Sequence, residues 1–238
     1  MNEFDHLKFC RNLMKLIILG LGKTGSLVAD IAREKGHDVL ALDIAENQDA
    51  AGLTPENTKG VAAAIDFTTP TAVLPNIEAC ARLGVNMVVG TTGWYSELPR
   101  IRQLVERSQM GFLYASNFSI GVNIFFEAAR AAAAALDHGY SVRIMERHHA
   151  QKKDAPSGTA ATIKNILQPH TKTGIEITSI REGDAAGQHV ILLDSEDDTM
   201  MLVHDAKSRR GFAQGAVRAA EWIAGKKGFF EFKDVLRG

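Results

Sequence analysis

The apolar positions in the first half of the chain form short runs separated by segments of helical periodicity. Three segments have helical periodicity: residues 26–36, residues 71–84 and residues 98–109. Gly36 ends the first of them, and Pro75 lies near the start of the second. Strands that alternate with helices at this spacing predict a parallel, doubly wound sheet. The apolar runs, typical of buried strands, cover residues 15–20, 38–43, 60–68, 85–93 and 111–119.

The pattern changes after about residue 118. Residues 121–137 predict one long helix, and we attribute its five consecutive alanines to helix propensity and close packing. A closing helix over residues 215–228 could return to the first domain. We therefore predict an α/β protein with a dinucleotide-type domain, residues 14–118 and 210–238, and a smaller α+β domain, residues 119–209. Strand-like segments at 140–149, 174–183 and 189–206, interrupted by a helix at 157–167, give that second domain an antiparallel or mixed sheet.

Bulk composition is that of a globular protein, with 238 residues, 45% hydrophobic and 23% charged, and a net charge of -1. This balance provides no global attraction to nucleic acid or to an anionic membrane. No apolar run approaches the roughly 18 residues that cross a bilayer, and the N-terminus lacks a secretory signal. Cys10 and Cys80 form no disulfide framework, so we expect a cytoplasmic protein. Residues 1–13 precede the first apolar run and are interpreted as an extension.

A glycine-rich turn, "LGLGKTGS", follows the first predicted strand and opens the first predicted helix. A P-loop would need glycine where Ile17 stands, so that interpretation fails. Gly20, Gly22 and Gly25 instead have the spacing of the dinucleotide fingerprint, in which glycines permit a tight turn, close approach of the pyrophosphate and helix packing. The alternative is a purely structural turn. We predict a Rossmann-like dinucleotide-binding site.

Asp43 ends the second predicted strand, where it can accept hydrogen bonds from the adenosine ribose. Its charge would repel a 2′-phosphate, and Ile44 and Ala45, rather than an arginine, follow it. The positive charge of Lys23 could offset part of this repulsion. The sequence therefore favours NADH as the cofactor without excluding NADPH.

A second concentration of chemistry lies in "MERHHAQKKDAPSGTA", residues 145–160. Histidine carries protons near neutral pH, and Lys152 supplies a charge for a carboxylate. Gly158 and Thr159, at the start of a predicted helix, form a carboxylate site. The alternatives without a catalytic role are that Lys153 is a solvated surface side chain and that one of the two histidines is structural. Neighbouring strand residues point to opposite faces, so His148 and His149 need not share a function. No metal is predicted, because no ligand cluster of suitable spacing accompanies the pair.

"ERHHAQKKDAPSGTA" resembles the signature E-x-H-H-x-x-K-x-D-x-P-S-G-T-A of the dihydrodipicolinate reductases. The resemblance covers nearly the whole chain from Met14. It extends to the glycine turn and to "DFTTP", "VGTTGW", "ASNFSIGVN", "REGDAAGQH" and "SRRGFAQGAVRAA". It implies NAD(P)H-dependent reduction of 4-hydroxy-tetrahydrodipicolinate, or its dehydrated form, to tetrahydrodipicolinate in the diaminopimelate route of lysine biosynthesis. It also implies a homotetramer built on the second domain.

Residue roles follow from the same resemblance. His148 matches the family's proton carrier and Lys152 its second catalytic residue, while His149, Gly158 and Thr159 match substrate-binding positions. The cofactor positions are Gly20, Leu21, Gly22, Lys23, Thr24, Gly25 and Asp43, with Gly90, Thr91, Thr92, Ala115, Ser116, Asn117 and Phe118 towards the nicotinamide.

Two departures from the family pattern are visible. The turn "GLGKTG" lacks an Arg-Met pair found in many members, and Ala150 and Gln151 replace more basic residues of some relatives. The alternatives kept open are an aspartate or homoserine dehydrogenase and a nucleotide-sensing regulator without enzymatic activity. The regulator would need a basic stripe or DNA-binding helix pair, which the neutral charge balance does not support.

Overall fold

A computed structural model describes residues 13–237 of the protein. Except for Leu13, the predicted N-terminal extension lies outside the described residues. The described chain divides into two compact units. The first unit runs to Phe112 and includes Ala220–Phe229, and the second unit comprises Leu113–Ala219 and the chain from Phe230 onward. The predicted domain boundaries, after residues 118 and 209, stay predictions.

The helices and strands alternate along the first half of the chain, as the apolar pattern predicts. In chain order they are β1 (Lys15–Leu19), α1 (Lys23–Glu34), β2 (Asp38–Leu42), β3 (Val61–Asp66), α2 (Val73–Leu83), β4 (Met87–Val89), α3 (Leu98–Ser108), β5 (Gly111–Tyr114), α4 (Ile120–Ala132), β6 (Ser141–His148), α5 (Gly158–Leu167), β7 (Glu176–Arg181), β8 (Gln188–Asp194), β9 (Thr199–Asp205), α6 (Arg210–Ile223), β10 (Gly228–Glu231) and α7 (Phe232–Leu236). Short 3-10 helices cover Gln48–Ala50, Tyr95–Glu97, Ala133–His138 and Gln168–His170.

The larger sheet has six strands in the order β10-β5-β4-β3-β1-β2. β1 pairs in parallel with both β2 and β3, and β3 pairs in parallel with β4. Successive residues of a strand point to opposite faces, and four consecutive residues of β1, Leu16 to Leu19, have no exposed surface. Both faces of β1 are therefore covered, as expected for a doubly wound parallel sheet.

The smaller sheet has four strands in the order β7-β6-β8-β9. β6 pairs in parallel with β7 and antiparallel with β8, which pairs antiparallel with β9, so the predicted mixed sheet is confirmed. One face of the sheet carries Ile144, Ile191 and Leu193, which join a buried cluster with residues of α4 and α5. This packing accounts for the apolar side chains of Val142 and Ile144 on that face of β6.

Some predicted boundaries were wrong. The helix predicted over residues 121–137 ends as an α-helix at Ala132 and continues as a 3-10 helix to His138, where Gly139 adopts φ +90°. Tight 3-10 turns are common at helix ends, and glycine accepts the left-handed geometry that ends them. β10 and α7 were not predicted, because elements of four and five residues are too short to show periodicity.

No helix among residues 13–237 combines the length and apolar character that a membrane crossing requires.

Candidate functional site

The glycine turn between β1 and α1 has the geometry that the dinucleotide fingerprint requires. Gly20 has φ +83°, which favours glycine, and a Cβ on Gly25 would lie 1.8 Å from the Gly20 carbonyl oxygen. A Cβ on Gly22 would meet nothing within 4 Å. Gly22 is the N-cap of α1 and makes no side-chain hydrogen bond, so no cap side chain occupies the N–H groups of the first helical turn. These features fit the pyrophosphate of a dinucleotide.

Asp43 follows β2 and is tied to the glycine turn. Its Oδ1 accepts a hydrogen bond of 3.2 Å from the backbone N–H of Leu21. The backbone N–H of Asp43 in turn donates to Oε2 of Glu46, at 3.1 Å. Two carboxylates therefore lie at the end of β2, where the sequence predicted only one.

Asp66, the last residue of β3, organises the loops that follow β3 and β4. Its buried carboxylate accepts hydrogen bonds from the Thr91 hydroxyl at 2.6 Å, from Asn76 at 2.8 Å, and from both the N–H and hydroxyl of Thr68. Burial raises the pKa of Asp66, while these hydrogen bonds oppose the rise. Thr91, a predicted cofactor residue, therefore has its side chain engaged within the protein.

The other predicted nicotinamide-end residues differ in exposure. Thr92 is exposed, and Gly90 lies so close to the Phe67 ring that a Cβ there would be 2.2 Å from it. Ala115 and Asn117 are half-buried and Ser116 is exposed. Phe118 is buried, and its ring makes a T-shaped contact with Phe232, with ring centroids 5.2 Å apart, so the side chain serves packing.

In the second unit, β6 brings Glu146 and His148 onto one face because they are two positions apart. Both are buried, with 1% and 7% of their surface exposed. The Nδ1 atom of His148 lies 3.4 Å from Oε2 of Glu146. His189, on the neighbouring strand β8, places Nε2 3.7 Å from the same oxygen. The two imidazole rings meet edge to face, with centroids 5.1 Å apart.

The other oxygen of Glu146 is held by three donors. Oε1 accepts from the Ser157 N–H at 3.0 Å, the Ser179 hydroxyl at 2.7 Å and Arg181 Nη2 at 2.8 Å. Burial alone would raise the pKa of Glu146, but hydrogen bonds from Ser157, Arg181 and Ser179 outweigh it and hold the pKa at about 2. Glu146 is therefore a carboxylate at neutral pH.

The two histidines of this cluster are neutral at pH 7. Burial is the main cause that lowers the pKa of His148; Lys152 and Arg181 lower it further, while Glu146 and Asp154 oppose them. Burial likewise lowers the pKa of His189 to about 4, aided by the charge of His148. A buried, neutral imidazole whose pKa is shifted by its surroundings is suited to acid–base chemistry.

The remaining predicted substrate residues lie after β6. Lys152 forms an ion pair with Asp154, with Nζ 2.8 Å from Oδ1. His149 lies beyond the end of the strand, with Nε2 3.1 Å from Nη2 of Arg209. Lys153 is exposed, which confirms its interpretation as a solvated side chain.

Gly158 and Thr159 form the first turn of α5, as predicted. The Ser157 hydroxyl caps this helix by accepting from the Ala160 N–H at 3.2 Å. A Cβ on Gly158 would meet nothing within 4 Å. Thr159 is half-buried, and its hydroxyl lies 3.3 Å from the amide nitrogen of Asn117.

The sequence analysis missed Glu146, His189, Ser179 and Arg181. Glu146 could have been found, because a charged residue two positions before His148 must share its face of a strand. His189, Ser179 and Arg181 come from other strands, and their register with β6 cannot be read from the chain.

Glu146, His148 and His189 also present one ligand atom each within 4.8 Å of one another. Such a group could hold a metal ion. The prediction that the protein uses no metal stays a prediction.

The glycine turn of the first unit and the imidazole cluster of the second are the two parts that define a nicotinamide-dependent oxidoreductase: a dinucleotide site and an acid–base site. Family models identify which one. Residues 14–118 match the N-terminal domain of dihydrodipicolinate reductase, and residues 121–236 match the C-terminal domain. The chain therefore belongs to the dihydrodipicolinate reductase family.

Individual relatives agree with this assignment. The chain is 38% identical to the 4-hydroxy-tetrahydrodipicolinate reductase of Christiangramia forsetii, over 94% of this chain and 98% of that protein. It is 35% identical to the enzyme of the same name from Natronomonas pharaonis, over 94% and 100% of the two chains.

Solved structures show the same likeness. A dipicolinate-bound dihydrodipicolinate reductase from Paenisporosarcina sp. TG-14 superposes with a TM-score of 0.76 at 26% identity, covering 93% of this chain and 99% of that one. An aspartate dehydrogenase from Thermotoga maritima reaches a TM-score of 0.51 at 13% identity, covering 90% and 97%, a likeness of fold alone.

Proposed function

We propose that this protein reduces 4-hydroxy-tetrahydrodipicolinate, or the dihydrodipicolinate that forms from it by loss of water, to tetrahydrodipicolinate in the diaminopimelate route to lysine. The observation that carries the proposal is the buried, neutral His148 with Lys152 close in the chain, in a member of this reductase family. An aspartate or homoserine dehydrogenase would not need this acid–base pair.

The reaction requires a hydride, a proton and a site that binds the two carboxylates of the substrate. Reduced nicotinamide supplies the hydride when it is bound. The two electrons that arrive with the hydride spread into the conjugated ring of the substrate, and a proton must then be added. We assign that proton to His148, since Nδ1 is buried against Glu146 and leaves Nε2 to exchange protons.

Binding of the substrate itself prepares His148 for this role. The ring carries two carboxylates, and their negative charge favours the imidazolium over the neutral imidazole. Lys152, which in the free protein pairs with Asp154, supplies a positive charge that steadies the developing anion. His149 with Arg209 and the exposed N–H groups at Gly158 and Thr159 are suited to hold the carboxylates.

We propose that NADH is preferred over NADPH. Asp43 and Glu46 place two carboxylates at the end of β2, beside the glycine turn. Carboxylates there accept hydrogen bonds from ribose hydroxyls and repel a 2′-phosphate. Lys23 is the nearest sequence neighbour able to offset this repulsion.

A coupled assay tests both parts of this function. A synthase generates the cyclic substrate from pyruvate and aspartate semialdehyde, and oxidation of NADH or NADPH by the purified protein is followed by absorbance. We expect rapid, substrate-dependent oxidation with a higher kcat/KM for NADH. No oxidation with either cofactor would refute the reductase activity, and a higher kcat/KM for NADPH would refute the cofactor preference alone.

We further propose a homotetramer that assembles through the open face of the four-stranded sheet. The strand register places Met145, Ile180, Met201 and Val203 on the face opposite Ile144. These apolar side chains are 37% to 63% exposed, and contiguous exposed apolar surface indicates an interface.

Sedimentation of the native protein and of Met201→Glu tests this assembly. We expect a tetramer for the native chain and smaller species for the variant, whereas a native monomer would refute the proposal. We also propose a cytoplasmic location, in keeping with the free thiol of Cys80.

A further inference from the structure

Glu146 is a buried carboxylate that the proposed reaction does not use directly. It is 1% exposed, and its Oε1 is saturated by donors from Ser157, Ser179 and Arg181. Its Oε2 is also buried but accepts no hydrogen bond, and it faces the imidazoles of His148 and His189. Burial of a charged oxygen without a hydrogen bond costs free energy, so the position of Oε2 calls for a functional explanation.

The Nδ1 atom of His148 is the natural partner of this oxygen. Nδ1 is buried without a hydrogen bond and lies 3.4 Å from Oε2, longer than a typical N–H···O hydrogen bond but close enough to shorten into one with a small movement. Catalytic hydrogen bonds are often long in the free enzyme and shorten when ligand binds. His189 is neutral at pH 7, so it adds no cation that would compete with His148 for this carboxylate.

Gly187 keeps the opposite edge of the His148 ring clear. It has φ +145°, and a Cβ there would lie 3.1 Å from Nε2. Nδ1 of His148 therefore faces the Glu146 carboxylate, while the lack of a side chain at Gly187 leaves space beside Nε2.

We propose that Glu146 is the positioning residue of the reductase: it holds the hydrogen of neutral His148 on Nδ1 and thereby leaves Nε2 as the atom that takes up and delivers the substrate proton. This inference rests on the proposed function for its catalytic consequence. It follows the logic by which a buried carboxylate fixes the tautomer of a catalytic histidine in hydrolases.

Glu146→Gln tests the idea with little change of shape. The glutamine carbonyl replaces Oε1 and keeps the donors of Ser157, Ser179 and Arg181. The amide NH₂ then replaces Oε2 and, as a donor, forces Nδ1 of His148 to be an acceptor, so that the hydrogen moves to Nε2. We expect kcat to fall about 10- to 1,000-fold with a much smaller change in KM.

The pH profile distinguishes positioning from simple loss of structure. The titratable groups that face or act on His148 are Glu146, Lys152, Arg181 and Asp154, together with the ring of His189, which packs edge to face against it. Removing the negative charge of Glu146 lowers the pKa of His148, so the fall in kcat/KM with rising pH moves to lower pH. Glu146→Asp, which keeps the charge, returns this limb towards its native position. Glu196→Gln, an exposed glutamate in the turn after β8, leaves rate and profile unchanged.

Nitrogen NMR of the native protein provides a test that needs neither a variant nor a substrate. We expect the ring of His148 to carry its hydrogen on Nδ1 at neutral pH. Hydrogen on Nε2 in the native protein, or a Glu146→Gln variant with native kcat and pH profile, would overturn the proposal. So would loss of activity with a chelator and recovery with Zn²⁺, because the cluster would then be a metal site. A native protein with the Nδ1 tautomer but no turnover would refute the reductase function and leave the positioning intact.

Discussion

At the scale of single residues, charge decides what His148 does. Burial and the cations Lys152 and Arg181 lower the pKa of its imidazole, two carboxylates oppose them, and the balance keeps the ring neutral in the free protein. Lys152 is one of the cations that disfavour the imidazolium. Because the same lysine is also the predicted partner of the substrate, its effect on His148 can be measured separately from binding.

Lys152→Gln should raise the pKa of His148 in the ligand-free protein, since it removes a positive charge that opposes protonation. The measurement is an NMR titration of the His148 ring. Lys153→Gln is the matched control, because Lys153 is exposed and is not among the groups that act on His148. An unchanged or lowered pKa in Lys152→Gln would contradict the electrostatic account.

The sequence predicted candidate reactive residues but not their surroundings. His148, Lys152 and the helix start at Gly158 could be predicted because a single continuous stretch carries them. The three donors to Glu146 Oε1 could not, since Ser157, Ser179 and Arg181 come from a helix cap and another strand. Only the fold brings them to one oxygen.

At the scale of elements, the turn between β1 and α1 contains glycines that differ in whether the fold requires them. Gly25 is required for the turn itself, because a Cβ would overlap the Gly20 carbonyl at 1.8 Å. Gly22 faces open space, so the fold itself does not require glycine at this position.

The two alanine substitutions should therefore behave differently. Gly22→Ala should keep the native melting temperature but weaken NADH binding about tenfold or more, or about 1.4 kcal/mol, because a methyl group enters the pyrophosphate space. Gly25→Ala should lower both the melting temperature and the affinity. Calorimetry and NADH titration measure these quantities. Native affinity in Gly22→Ala would contradict the assignment of the turn to the cofactor.

Elements with strong local signals were predicted well. β1 is a continuous apolar strand, and α2 ends at Gly84 with φ +67°, a stop that glycine encodes locally. β10 and the 3-10 continuation after α4 were not predicted, because pairing and packing at a distance decide them. The parallel and antiparallel pairing around β6 likewise depends on partners elsewhere in the chain.

At the scale of the whole molecule, the buried cluster couples stability to pH. Burial lowers the pKa of His189 from 6.5 to about 4. The unfolded chain therefore binds more protons than the folded chain in this range, and stability is lost as pH falls from about 6.5 towards 4. Glu146, with a pKa of about 2, extends the loss to lower pH.

The free energy of unfolding should accordingly fall by about 2 kcal/mol from His189 alone between about pH 7 and pH 5. His189→Gln should remove this part of the pH dependence, whatever its effect on stability at pH 7. His138→Gln, at an exposed position, should keep the native slope. Denaturant unfolding at the two pH values measures the difference, and equal slopes for the native protein and His189→Gln would contradict the buried, neutral state of His189.

The central claim is that His148 delivers the proton that completes reduction of the cyclic dicarboxylate. Single-turnover oxidation of NADH, with the native protein and with His148→Gln each saturated with NADH and substrate, tests it most directly. We predict that the rate in the variant is lower by a factor of about 10² to 10⁴. An equal rate in the two proteins would contradict the claim and remove His148 from the chemistry.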